Sequence, residues 1–235
     1  MGADNKPSYF GRDLEAMTFA VNYHRWIVRE FEPYLRGFAA EVGAGTGNLT
    51  RLLQGRVNNL TAFEPSANMF PLLRESASGL DNVQPVNGYL GDAPAPSDGY
   101  DCLVYVNVLE HIEDDRQEVA NMLAALRRGG HALIFVPALS WLFSELDRKL
   151  GHFRRYHRAP LQKLFTEAGF EIRRCRYFDV AGIIPWYLAF VLFGGTIRPR
   201  SVAIYDGAVV PVMRRVEAIL PPPLGKNLLL VARKP

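Results

Sequence analysis

AAEVGAGTGNLT, residues 39–50, decides how this chain folds. A short apolar run passes through a carboxylate, Glu41, into three alternating glycines, Gly43, Gly45 and Gly47, and then into the helix-like NLTRLLQ. Strand, glycine turn and helix start, in that order, make a backbone that a bulky ligand can approach closely, because glycine accepts positive φ and has no Cβ. The spacing separates two ligand classes. Dinucleotide folds use G-x-G-x-x-G, with helix-start amides on a pyrophosphate. Here the pattern is E-x-G-x-G-x-G, so a carboxylate stands directly before the loop and the third glycine comes one residue early. That carboxylate would repel a diphosphate and suits a ligand with an ammonium group. A second acid, Glu64, ends the apolar run 57–63, where it can grip a ribose diol. The ligand implied is a nucleoside with a cationic tail and no phosphate.

Further stretches accompany the loop: NYHRW at 22–26, FEPS at 63–66, GD at 91–92, YDCLVYVNVLEHIEDD at 100–115, LRRGGHALIFVPA at 126–138 and GHFRRYHRAPLQKLFTEAGF at 151–170. Together they resemble the class I S-adenosylmethionine-dependent methyltransferases, in particular a bacterial subgroup of small methyltransferases of the type 11/12 kind. The resemblance covers roughly residues 20–177 and fades toward the end. It implies a Rossmann-like, doubly wound α/β fold with a seven-stranded, mostly parallel sheet of order 3-2-1-4-5-7-6, the last strand antiparallel. It also implies S-adenosylmethionine as cofactor, held by Glu41, Gly43, Ala44, Gly45, Gly47 and Asn48 at the loop and by Glu64 and Pro65 at the ribose. Gly91, Asp92 and Ala93 fall at the adenine edge, and Asn107, Val108 and Leu109 line the methionine and adenosine portions. Tyr23 and Trp26 belong to an N-terminal segment that closes over the cofactor in such proteins.

Periodicity gives the same alternation independently. Strands are predicted at 39–43, 59–63, 83–87, 101–106, 131–136, 171–177 and 226–233, with helices at 9–37, 47–54, 66–77, 115–127 and 159–168. Such βα units make a parallel sheet covered on both faces, with ligands outside the strands' carboxyl ends beside the first strand. The 235 residues, 49% apolar and 22% charged, read as one globular domain. It divides into an N-terminal cap at 1–37, a core at 38–177, an insertion at 178–225 and a final strand at 226–235. Cys102 and Cys175 lie in apolar segments without ligand spacing and read as buried thiols. The opening MGADNKPSYF lacks the pattern of a cleaved signal, so a cytoplasmic location is expected, with the inner membrane face as the alternative.

Charge is distributed unevenly. Residues 1–150 hold 13 basic against 19 acidic side chains, and residues 151–235 hold 14 against 5. A basic second half faces something anionic, whether substrate, membrane surface or nucleic acid. His111, with an ordinary pKa of about 6.5, is the candidate for proton transfer, and a purely structural histidine is the competing reading. The acids 113–115 read as a helix cap. GHFRRYHR at 151–158 places His152 and Tyr156 as further catalytic candidates, and Arg154 and Arg155 as a clamp for an acidic acceptor. Ion pairs of these arginines with Asp147 or Glu145 would account for the cluster equally well. No metal is assigned, since the spacing of His152 and His157 keeps them off one helix face.

The insertion breaks the pattern. Residues 180–197 carry no charge, include Trp186 and Tyr187, and are interrupted by Gly182, Pro185, Gly194 and Gly195. This predicts a helix that roofs the substrate pocket, with Trp186 and Tyr187 toward substrate, or that lies in a membrane interface across 180–200. Methyl transfer to a small-molecule, lipid-linked or saccharide-linked acceptor, anionic in character, is the function expected. Nucleic-acid methylation is disfavoured, because NVLE at 107–110 replaces the N-P-P-Y-like tetrad of base methylators. A non-catalytic scaffold that merely keeps the cofactor fold would tolerate a degraded loop, yet Gly43, Gly45, Gly47 and Glu64 are all in place. A nicotinamide-dependent reductase is disfavoured by Glu41 and by the shortened glycine spacing. Neither the acceptor atom nor the oligomeric state, monomer or dimer, is legible.

Overall fold

The structure is a computed structural model that describes residues 20–195 and 199–235. The expected helix over 9–19, and Ile197 and Arg198 in the insertion, lie outside the described residues. The elements are α1 (Val21–Phe31), β1 (Phe38–Val42), α2 (Thr50–Leu53), β2 (Asn59–Phe63), α3 (Phe70–Ser76), β3 (Val83–Val86) and β4 (Tyr100–Val106). They continue as α4 (Asp115–Ala125), β5 (Leu126–Pro137), α5 (Glu145–Lys149), α6 (Arg158–Glu167) and β6 (Glu171–Phe178). After the insertion, β7 (Asn227–Arg233) closes the sheet.

The seven strands run in the order β3-β2-β1-β4-β5-β7-β6. The first five are mutually parallel, and β7 is antiparallel to both β5 and β6. Strand direction of travel across the sheet reverses beside β1, which makes its carboxyl end the crevice of a doubly wound sheet. Strand residues alternate between two apolar layers. Leu103, Tyr105, Leu228 and Leu230 face one layer with Val119 and Met122 of α4 and Leu161 and Phe165 of α6. Cys102, Val104, Leu229 and Val231 face the other with Trp26, Ile27 and Phe31 of α1. Both faces of the central strands are thus buried, which is why the sequence shows near-continuous apolar runs there.

Strand β5 starts at Leu126, five residues earlier than predicted, and α4 ends at Ala125. Gly129 (φ 74°) turns the chain, and a Cβ on Gly130 would come within 2.9 Å of the Tyr100 and Arg127 carbonyls. The glycine pair therefore converts the end of an expected helix into an early strand pairing.

Between β6 and β7 the described insertion forms α7 (Ile183–Trp186) running into a π-helical stretch Tyr187–Leu192, then α8 (Pro199–Ile204), a second π-helical stretch Tyr205–Val209, and α9 (Val210–Ile219). Gly194, at φ 58°, and Gly195 follow the first of these, so no single helix covers the uncharged run. Three buried acids fasten the insertion down. Asp206 accepts from the amides of Asn22 (2.9 Å) and Tyr23 (2.8 Å) and so satisfies the first turn of α1 from 183 residues away. Asp179 accepts from the Tyr23 hydroxyl (3.1 Å) and the Tyr205 hydroxyl and pairs with Lys226 (3.0 Å). Glu217 takes the amides of Asp179 (3.2 Å) and Val180 (2.8 Å).

Candidate active site

The loop after β1 is built by backbone conformation. Gly43, Gly45 and Gly47 all have positive φ (70°, 57° and 84°), which L-residues adopt at a steric penalty. A Cβ on Gly43 would lie 2.5 Å from Val108 Cγ2, and one on Gly47 2.7 Å from Ser76 Oγ, so the loop packs without room for a methyl group. Glu41, almost wholly buried, accepts from Thr50 Oγ1 at 2.6 Å. Burial drives its pKa up to about 8, opposed by the Thr50 hydroxyl and reinforced by the Glu64 carboxylate. Among the described residues no cation pairs with this carboxylate.

A cavity of about 130 Å³ opens against this loop. Glu41, Gly43, Ala44, Gly45 and Asn48 line it from one side, Asn107 and His111 from another, and His24 from α1. Asn107 sits at φ 54°, with its amide bonded to the Phe135 carbonyl at 2.8 Å, a strained non-glycine position of the kind found at functional sites. Glu64 stands one strand away, with Oε2 accepting from Gly45 N (2.7 Å) and Oε1 from Ser66 N (2.8 Å). It braces the glycine loop, and each oxygen retains a further lone pair. Beyond it, Asn87 Nδ2 donates to the Glu64 carbonyl (2.9 Å) and the Pro65 carbonyl (3.5 Å). Gly91 turns at φ 103°, Asp92 accepts from the Tyr89 amide at 2.8 Å, and Ala93 packs on the core. Leu109 is fully buried in the core, and Val108 packs over Gly43.

The remaining candidates are distributed differently from the sequence expectation. Trp26 is fully buried among Phe178 and the α1 core, away from the loop cavity, so its neighbour His24 borders that cavity instead. Helical geometry gave no reason to prefer Trp26 over His24; only the seating of α1 on the sheet decides it. Arg155 is buried in a bidentate ion pair with Asp147 (2.9–3.2 Å) and lies 4.7 Å over the Trp186 ring, so it is not available as a substrate clamp. Arg154 pairs with Asp115 at 2.7 Å and donates to the Glu113 carbonyl. Of the two readings of the basic cluster, the structure shows ion pairs. Tyr156 donates to the Leu109 carbonyl (3.2 Å) and Asp115 (3.0 Å) from within the core, where burial and Asp115 hold its proton on. That position braces the cavity floor and does not reach the cavity.

His111 borders the cavity and meets His152 edge to face at 4.5 Å. Burial, with the neighbouring His152, lowers its pKa to about 4. It is therefore a neutral imidazole near pH 7 and a weak proton acceptor. His152 is held by Asp147 through Nδ1 at 2.9 Å, and His157 turns away to Ser140 (2.9 Å).

A larger cavity of about 460 Å³ lies under the insertion, on the other side of the start of α1. Tyr23, Trp186, Phe190, Val202 and Tyr205 line it, with Asp206 and Lys226 as its charged groups. Trp186 donates to the Leu142 carbonyl at 3.1 Å, while Tyr187 is half exposed against Trp141. Asp179, Asp206, Thr50 and Lys226 were not singled out from sequence, because each owes its role to partners far along the chain.

The family model for a methyltransferase domain matches residues 40–174, more than half of the chain. The chain belongs to the class I S-adenosylmethionine-dependent methyltransferases. A relative from Mycolicibacterium smegmatis, named a probable S-adenosylmethionine-dependent methyltransferase, is 33% identical over 88 residues, 37% of this chain and 34% of that protein. The match therefore spans about a third of that relative's length. Among solved structures, a Haloferax volcanii methyltransferase in complex with the Trm112 methyltransferase activator has a TM-score of 0.66 at 16% identity, covering 96% of this chain and 95% of its own. The N-methyltransferase NodS of Bradyrhizobium japonicum WM9, in complex with S-adenosylhomocysteine, has a TM-score of 0.59 at 14% identity, covering 92% and 88%. These two share the methyltransferase's fold. The cofactor of the family is S-adenosylmethionine, and the residues present fit it: a buried carboxylate with no cation partner among the described residues, and a glycine loop closed to a Cβ at Gly43 and Gly47.

Proposed function

We propose that this methyltransferase moves the sulfonium methyl to an acceptor with a substantial apolar part and a polar or anionic head, seated in the cavity under the insertion. The observation that carries the reading is the placement of that cavity. Consecutive residues of α1, Tyr23 and His24, line the larger cavity and the glycine-loop cavity respectively, so the start of α1 stands between the two spaces, read here as acceptor and donor space. The 130 Å³ space suits the amino-acid end of the donor, below the roughly 300 Å³ and more that whole ligands fill. Glu41 would take the ammonium group there, and the Glu64 to Ala93 side would carry ribose and adenine.

When bound, S-adenosylmethionine would supply an already activated methyl group, open to an acceptor's lone pair because the carbon–sulfur bonding pair can return to sulfur. The chain's contribution is alignment and exclusion of water, worth many powers of ten on their own. Lys226 faces the cavity amid the rings of Tyr23 (5.1 Å), Trp186 (5.6 Å) and Tyr205 (5.9 Å); its pair with Asp179 (3.0 Å) uses one of the three ammonium N–H donors and leaves the others for an acceptor head. Outside, the insertion exposes Ile184, Leu188, Leu192, Phe193 and Ile204, together with Arg200. An apolar face edged by arginine suits contact with an anionic bilayer surface, which would present a lipid-linked acceptor. Among the described residues, no helix is long and apolar enough to cross a membrane.

The test is methyl transfer from labelled S-adenosylmethionine into a total membrane lipid extract, a small-molecule extract and bulk RNA. Label in the lipid extract, reduced by Trp186→Ala with S-adenosylhomocysteine affinity unchanged, supports the reading. Label in RNA, or in water-soluble products indifferent to Trp186, overturns it.

A further inference from the structure

Two neighbouring side chains and a third distant in sequence come together beside the glycine-loop cavity. Glu110 and His111 belong to the single helical turn Leu109–His111 after β4, and His152 to the loop after α5, 41 residues away. One ligand-type atom from each lies within 4.8 Å of the others. The two segments are tied together by the Phe153 amide, which donates to the Glu110 carbonyl at 2.8 Å.

The Glu110 carboxyl makes the cluster unusual. It is fully buried, and among the described residues neither of its oxygens has a hydrogen-bond partner beyond its own backbone amide. A buried carboxyl left this way loses its hydration without replacement, and each such group requires an explanation. The surrounding histidines are, by contrast, firmly oriented. His152 Nδ1 is bonded to Asp147 Oδ1 at 2.9 Å, which leaves Nε2 as its other nitrogen. Asp147 itself is held by the Ser144 amide (2.8 Å) and hydroxyl (2.7 Å) and by Arg155. His111 is held through the Leu150 carbonyl. Imidazoles whose second nitrogen is fixed by a carboxylate or carbonyl are the usual outer arrangement of metal-bound histidine.

The geometry points to a binding site for one divalent transition-metal ion, held by Glu110, His111 and His152. Two imidazoles and one carboxylate are a donor set for zinc or for iron, cobalt and manganese, and three protein ligands leave a coordination position open. Bonds of about 2.1 Å would draw the donor atoms from within 4.8 Å to roughly 3.4 Å apart. An ion there would give the Glu110 oxygens the partner they lack. Because His111 also lines the glycine-loop cavity, the open position would lie one side chain from the methyl donor.

The probe is Zn²⁺ or Co²⁺ alone, added to tag-free full-length protein stripped with chelator. Calorimetry and elemental analysis are expected to show saturation at about one ion per chain, and Co²⁺ to show the visible bands of a low-coordinate N/O site. Glu110→Gln and His152→Ala, each verified as folded by circular dichroism, are expected to weaken binding at least tenfold and abolish the bands. No saturable uptake by the wild type overturns the assignment, as does uptake that both variants leave unchanged. Neither readout involves turnover or acceptor, so failure here is distinct from failure of the proposed function.

Discussion

If Glu41 receives the ammonium group of the cofactor, binding must be linked to its ionisation. Burial holds this carboxyl up to about 8 before any ligand arrives. At pH 6 about 1% of the chains would carry it ionised, at pH 7 about 9%, and at pH 8 about half. The cation selects the ionised form and returns its pKa toward the ordinary carboxylate range, so binding releases a proton. The dissociation constant for S-adenosylhomocysteine is therefore expected to fall about 50-fold from pH 6 to pH 8, near tenfold per unit at the acid end. Isothermal titration in buffers of differing ionisation enthalpy would also show close to one proton released per ligand at pH 7. Glu41→Gln, which keeps the Thr50 hydrogen bond, is expected to bind weakly with a flat profile over the same range. A flat profile in the wild type, or an unchanged slope in Glu41→Gln, would refute the reasoning and move the linkage to another group.

The other expectations are simpler. Gly43→Ala combines a left-handed backbone, worth about 1–2 kcal/mol, with a Cβ 2.5 Å from Val108, and is expected to lower S-adenosylhomocysteine affinity at least tenfold by calorimetry; Gly55→Ala, with open space around it, should leave affinity unchanged. Arg155→Met strands the buried Asp147 carboxylate and is expected to cost about 3–5 kcal/mol, a melting drop of roughly 6–20 °C by calorimetric scan. An unchanged melting temperature with a raised acceptor KM would instead return Arg155 to the role of substrate clamp. Asp206→Asn weakens charge-assisted bonds to the Asn22 and Tyr23 amides and should cost about 1–2 kcal/mol, with faster proteolysis of the 199–220 segment as the readout.

The parts of the molecule legible in the sequence are those set by local pattern. Alternating apolar runs and helical periods placed every strand of the sheet within a few residues, and the family resemblance supplied its order. The glycine loop was legible because backbone conformation there leaves a residue-type signature. Partner choice was legible only in part: Asp147 stood among the candidate partners of Arg154 and Arg155, whereas Asp115 did not. GHFRRYHR reads as a cluster on one rim, yet Arg155 and Tyr156 turn inward to Asp147 and Asp115, and His152 leaves its sequence neighbour His157 for His111. Only folding makes Asp147 a buried charge that demands an arginine. The uncharged run at 180–197 was visible as a break in pattern, but its attachment through Asp179, Asp206 and Glu217 depends on contacts up to 184 residues apart.

A crystal structure of the chain with S-adenosylhomocysteine bound tests the central claim most directly. The ligand's amino group is expected against Glu41, its backbone along Gly43 to Gly47, and its ribose hydroxyls within hydrogen-bond reach of Glu64. Density for the nucleoside in the cavity under the insertion, or anywhere with both Glu41 and Glu64 out of contact, would contradict it.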